Sequence, residues 1–208
     1  MSSAALWSFV VVAFFGVVTP GLDTMLVLRH SLLGGRGRGF AAAVGIALGC
    51  LAWGTASVVG LTALLTASEI AYDVVRVLGA AYLIWLGGSA LWKSLPRNRV
   101  DSDPEAVVVA GGRLAALRSG LVTNLLNPKV GVFYMSLLPQ FIPAQSQSAA
   151  WGAVLVAIHL TFTLVWLPGL VWAAGRARTF FLRQRVRRWM DRITAGVLLG
   201  LGVKMAVG

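Results

Sequence analysis

Acids and cysteines are the scarce residues of this sequence. Only 7 of its 208 residues are Asp or Glu, and only one, Cys50, is a cysteine. A single thiol excludes an intramolecular disulfide and any CxxC redox or zinc pair. The only histidines are His30 and His159; they form no readable metal cluster, and neither a metal site nor a cofactor is expected. Charged residues make up 12% of the chain, about half the share usual in soluble domains. That shortage argues against a soluble fold, and a hydrophobic share of 58% argues against disorder. Catalytic groups are equally thin. An intramembrane protease needs a serine with a base, or aspartates in two spans. Here Asp23 is the only acid within an apolar stretch, and Ser136 has no visible base. No ATP-binding motif is present. An enzyme is therefore the less favoured class, and no catalytic residues are assigned.

What is abundant is apolar sequence, with a mean hydropathy of +0.81. A hydrocarbon core near 30 Å takes about 20 apolar residues of helix. Six runs meet or approach that length: 4–28, 40–66, 74–92, 119–142, 150–174 and 193–208. The expected fold is all-α, a polytopic membrane helix bundle of six transmembrane helices. The first run reads as a span, because no basic stretch precedes it and no small-residue cleavage site follows.

The basic residues set the orientation. Arg29, Arg36 and Arg38 fall in or beside the first loop, and Lys93, Arg97, Arg99, Arg113 and Arg118 in or beside the third. Seven arginines crowd 176–192, while 67–73 and 143–149 have no Lys or Arg. Cytoplasmic loops collect Lys and Arg, so loops one, three and five are expected inside and both termini outside. Within 176–192, Leu182, Val186, Trp189 and Met190 recur at helical spacing between arginines. This pattern suits an interfacial helix drawn to anionic lipid headgroups. Nucleic acid is not expected as a partner, although the net charge is +11. The Gly34–Gly39 run (GGRGRG) reads as a flexible cytoplasmic turn, because no Gly-Lys-Ser/Thr closes it as in a phosphate loop.

Two spans carry the same interruption. The first contains Thr19-Pro20-Gly21-Leu22-Asp23 and the fourth Asn127-Pro128-Lys129. Thr and Asn cap helix N-termini, Pro suits the first helical position, and a mid-helix proline removes a backbone bond. Each span is thus expected as two half-helices. The breaks lie three spans apart, and an odd number of spans inverts the second unit. The chain is therefore read as inverted three-helix repeats, 1–95 and 119–208, joined by a cytoplasmic linker at 96–118. Paired broken helices point to a transporter's binding site, and a charge inside a span should face a partner or a wet cavity. The candidate substrate-binding residues are accordingly Thr19, Pro20, Gly21, Asp23, Asn127, Pro128 and Lys129. A zwitterionic amino acid could place its ammonium near Asp23 and its carboxylate near Lys129; the plainer alternative is a structural salt bridge. Asp23 and His159 are the candidates for proton coupling, with His159 also readable as a packed histidine bonded to a backbone carbonyl. Gly45-Gly49 and Gly196-Gly200 have the spacing for close helix contact within the bundle or in a homodimer. Pro168-Gly169 reads as a kink, and Cys50 as a packing residue.

These residues also carry a resemblance. The chain resembles the LysE/RhtB family of bacterial amino-acid exporters over nearly its whole length. The matching segments are Pro20-Gly21-Leu22-Asp23-Thr24-Met25-Leu26-Val27-Leu28, Gly45-Ile46-Ala47-Leu48-Gly49, Leu78-Gly79-Ala80-Ala81-Tyr82-Leu83-Ile84-Trp85-Leu86-Gly87, Asn124-Leu125-Leu126-Asn127-Pro128-Lys129 and Leu138-Pro139-Gln140-Phe141. It departs at Leu22, where the family often has a second proline. The resemblance implies a multi-pass protein of the bacterial cytoplasmic (inner) membrane. It implies export of amino acids or close derivatives, driven by the proton or membrane-potential gradient. A related transporter exporting a cation is the closest rival, although hard cations want several oxygen ligands.

Overall fold

The computed structural model describes residues 3–67, 111–142 and 149–176, with scattered positions between 74 and 92 and between 180 and 203. The described residues are helical apart from short breaks. In chain order they form α1 (Ser3–Val18), α2 (Leu22–Gly34), α3 (Arg36–Ala67), α4 (Arg113–Leu125), α5 (Pro128–Val132) and α6 (Ala149–Trp172). Between α5 and α6, Phe133–Leu137 is a π-helical turn and Leu138–Phe141 a 3₁₀ turn.

Two helices among the described residues are long and apolar enough to cross a membrane: α3, over Arg36–Gly60, and α6. A third span results if α1 and α2, bent by 44° at their break, count as one. Pro168 is carried inside α6. The expected spans 74–92 and 193–208, the interfacial helix at 176–192 and the loops 67–73 and 143–149 lie wholly or largely outside the described residues, whereas Gly196 and Gly200 are helical and a Cβ on either would meet nothing within 4 Å among the described residues.

Two expectations of local structure change. The first loop was expected over 29–39, but α2 runs on to Gly34 and α3 starts at Arg36. One residue, Gly35, makes the turn, at φ 79°, a left-handed conformation that glycine adopts without a Cβ clash. The arginines sit on helix ends because arginine is a good helix former once the apolar run is over. Likewise the last residues of the expected 96–118 linker are already helical, since α4 begins at Arg113.

Without a hydrophobic drive between helices in lipid, small residues that admit close backbone packing hold a bundle together. Gly45, Gly49 and Gly120 serve this at the crossing of α3 and α4. A Cβ on Gly45 would strike the Leu117 carbonyl, one on Gly120 the Ala42 carbonyl, and one on Gly49 the Asn124 side chain. The Gly45-Gly49 pair thus packs within the bundle. Farther along α3, Gly54 meets Val156 of α6, and Gly152 of α6 meets Val58. The core between these helices contains Phe9, Ala13, Val27, Ile46, Tyr134, Leu155 and Val171.

The basic helix ends gather at one end of the bundle. The Arg36 guanidinium lies 4.6 Å over the Trp172 ring, a cation–π contact. The Arg113 guanidinium lies against Gly37, where a Cβ would be 2.9 Å from its Nε. The start of α3, the start of α4 and the end of α6 therefore share one side.

Candidate functional site

Both interruptions are present, but they are built differently. At the second, Asn127 is the N-cap of α5, its Oδ1 accepts from the Lys129 backbone N–H at 3.1 Å, and Pro128 takes the first helical position. At the first, Thr19 does not cap. Its N–H still bonds back to the Phe15 carbonyl at 3.0 Å, so it belongs to the end of α1. The N-cap of α2 is Gly21, which has no side chain to offer. Helix α2 begins at Leu22, so Pro20 stands before the cap and not at the first helical position.

What Thr19 supplies is its carbonyl oxygen. The last carbonyls of a helix have no intrahelical partner and carry its negative dipole end. The Lys129 ammonium donates to the Thr19 oxygen at 2.9 Å. A cation at the first turn of α5 is disfavoured by that helix's own dipole, and the C-terminal end of α1 offsets this. Asp23 lies in the first turn of α2, where the dipole favours an anion. Its Oδ2 accepts from Asn124 Nδ2 at 2.9 Å. Its Oδ1 is buried and has no hydrogen-bond partner among the described residues.

Thr19, Gly21, Asp23, Asn127, Lys129 and His159 all line one cavity, together with Thr24, Cys50, Thr163 and the apolar residues Gly16, Val17, Ile46, Val130 and Leu167. Pro20 and Pro128 are not in its wall; they open the helices that deliver the others. The cavity volume is about 40 Å³, space for a few waters and far less than an amino acid needs.

His159 shares a 2.7 Å hydrogen bond through Nδ1 with the Tyr134 hydroxyl and stacks on Phe133 at 4.5 Å. Its partner is therefore a side chain and not the backbone carbonyl of the packed-histidine reading. Tyr134 is wholly buried and belongs to the π-helical turn. An inserted residue of this kind frees a carbonyl from the regular ladder, and the Tyr134 carbonyl accepts from the Ser57 hydroxyl of α3. The Thr163 hydroxyl donates to the His159 carbonyl at 3.0 Å, one turn back along α6.

Sequence reasoning missed Asn124, Tyr134, Thr24 and Thr163 as site residues. For Asn124 the signal was an amide inside an apolar span, three residues before the cap. For Thr163 it was a hydroxyl one helical turn from His159. Tyr134 gave no signal, since an extra residue in a helical turn leaves no mark in local sequence. Cys50 is buried as expected, but it also receives a 3.4 Å contact from Asn124 Nδ2.

The comparisons with known proteins agree with one another. The family described as LysE type translocator matches residues 14–208. An uncharacterized membrane protein of Bacillus subtilis is 28% identical over 204 residues, covering 96% of this chain and 97% of its own. A leucine efflux protein of Enterobacter is 33% identical over 163 residues, or 74% of this chain and 71% of its own. A leucine efflux protein of Klebsiella pneumoniae is 27% identical over 201 residues, or 96% and 93%. No solved structure matches the chain.

Proposed function

The chain belongs to the LysE type translocator family, and on that premise we propose that it exports neutral amino acids, leucine foremost, across the bacterial cytoplasmic membrane. It is a transporter and not an enzyme. The proposal extends to six spans in two inverted repeats, 1–95 and 119–208, with the basic loops in the cytoplasm and both termini outside. Export is driven by the proton or membrane-potential gradient, the latter supplying about 2.3 kcal/mol per charge per 100 mV. Anionic headgroups hold the arginine-rich segment 176–192. The leucine efflux proteins of Enterobacter and Klebsiella support the substrate class.

One observation carries the reading of the site. Two interrupted helices bring an acid, Asp23, and a base, Lys129, to the same small cavity. In this reading the substrate ammonium pairs with Asp23, using the buried Oδ1 that has no partner among the described residues. It also takes over the Thr19 carbonyl that Lys129 now holds. The substrate carboxylate then receives the released Lys129 ammonium. The apolar wall of Gly16, Val17, Ile46, Val130 and Leu167 suits an aliphatic side chain. Because the cavity is too small for leucine, loading requires the broken helices to part, and the conformation described is a closed one.

The test is counterflow of labelled leucine into proteoliposomes. A hydrogen bond to a charged group is worth about 1.5–3 kcal/mol, and 1.4 kcal/mol is tenfold. Asp23→Asn and Lys129→Gln are each expected to slow exchange between about tenfold and a hundredfold. Normal exchange by both variants, at normal membrane levels, removes these residues from the binding site. Uptake of cations in place of amino acids removes the substrate class.

A further inference from the structure

Asn124 lies at the end of α4 and is wholly buried, at 0% exposure. A buried amide ordinarily finds partners for both its donors and its acceptor. This one is satisfied on one side only. Its Nδ2 donates to Asp23 Oδ2 of α2 at 2.9 Å and reaches Cys50 Sγ of α3 at 3.4 Å. Its Oδ1 is buried without a partner among the described residues and faces the backbone of α3 at Gly49, where no Cβ could fit beside it. The amide has therefore been placed for what its nitrogen does.

We propose that Asn124 is the positioning residue for Asp23. It fixes one carboxylate oxygen, so that the other, Oδ1, is presented to the substrate ammonium. The bond also ties the last turn before the second break to the first turn after the first break. The inference rests on the substrate site proposed above and adds a residue whose contact with substrate is only indirect.

The experiment is a double-mutant cycle on leucine binding, measured by calorimetry on purified protein in detergent. The variants are Asn124→Ala, Asp23→Asn and the double. Asn124→Ala is expected to weaken the Kd about tenfold, the fold-change of one lost orienting hydrogen bond. In the Asp23→Asn background the same change is expected to do nothing further, because the group it orients is already altered. Asn124→Thr, which keeps a short donor, is expected to bind between the two. Unfolding temperatures run alongside separate folding from binding: loss of a merely structural asparagine lowers stability and affinity alike in both backgrounds. Multiplicative effects on Kd, or wild-type binding by Asn124→Ala, overturn the inference and leave the site intact. Unaltered binding by Asp23→Asn, or no binding of any amino acid by the wild type, overturns the site and the inference together.

Discussion

Replacing Gly45 by alanine tests the close crossing of α3 and α4 most sharply. A Cβ at this position overlaps the Leu117 carbonyl oxygen and stands 2.8 Å from the Leu121 amide nitrogen and 2.9 Å from the Leu117 carbonyl carbon. Ordinary Cβ contacts begin at 3.4 Å, and the overlap with the Leu117 oxygen is the worst of the three, so the two helices must separate by about 1.4 Å at this point. The obstructing atoms are backbone, and no rotamer change relieves them. Overpacking of this kind costs about 1–3 kcal/mol. The same substitution at Gly60, also on α3, meets nothing within 4 Å among the described residues. There it removes the conformational entropy of glycine in the unfolded chain and stabilises by about 0.4–1 kcal/mol. The two variants thus differ by about 1.5–4 kcal/mol. At about 2–4 °C per kcal/mol for a chain of this length, Gly45→Ala unfolds roughly 3–16 °C below Gly60→Ala. Thermal unfolding in detergent, followed by the fluorescence of the 8 tryptophans, measures the gap. Equal unfolding temperatures would refute the crossing. Leucine exchange provides a second check: moving α4 carries Asn124 away from Asp23, so Gly45→Ala exports poorly even where it remains folded.

Two further outcomes follow from the same geometry. Asn127→Ala removes the side-chain cap of α5 and lowers stability by about 0.5–2 kcal/mol, whereas Asn127→Asp retains an acceptor and most of that stability; equal losses in both variants contradict the capping role. Tyr134→Phe leaves the buried His159 Nδ1 without its partner, at a cost of about 1–3 kcal/mol. In a cycle with His159→Leu the double variant is then less destabilised than the sum of the singles, and simple additivity shows that the pair is not coupled.

The interruptions were legible in the sequence because proline and its capping neighbour act over two or three residues. The roles within them were less so. Thr19 and Asn127 stand before proline alike, yet only Asn127 caps. Pro20-Gly21 delays the start of α2 beyond the reach of Thr19, while Pro128 opens α5 at once. That Asp23 and Lys129 line the same cavity follows from the crossing of helices far apart in the chain, which hydropathy and charge spacing only made feasible. Asn124 shows the limit best. An asparagine in an apolar run signals that some partner exists, but its choice of Asp23 and Cys50, 101 and 74 residues away, is decided by how α4 packs on α2 and α3. The one-residue turn at Gly35 was hidden for a different reason: arginines mark where the apolar run stops, and the helix does not have to stop with it.

The Lys129 bond to the Thr19 carbonyl has a consequence for when such a carrier works. With nothing aboard, the protein satisfies the negative helix end by means of its own ammonium, so the idle state is comfortable. Under the proposed function, incoming leucine must evict an internal mimic of its own amino group. Its net affinity is then a difference between two similar interactions and stays modest. A weak grip suits a relief valve: the pump rests at ordinary cytoplasmic levels and engages only when the metabolite accumulates.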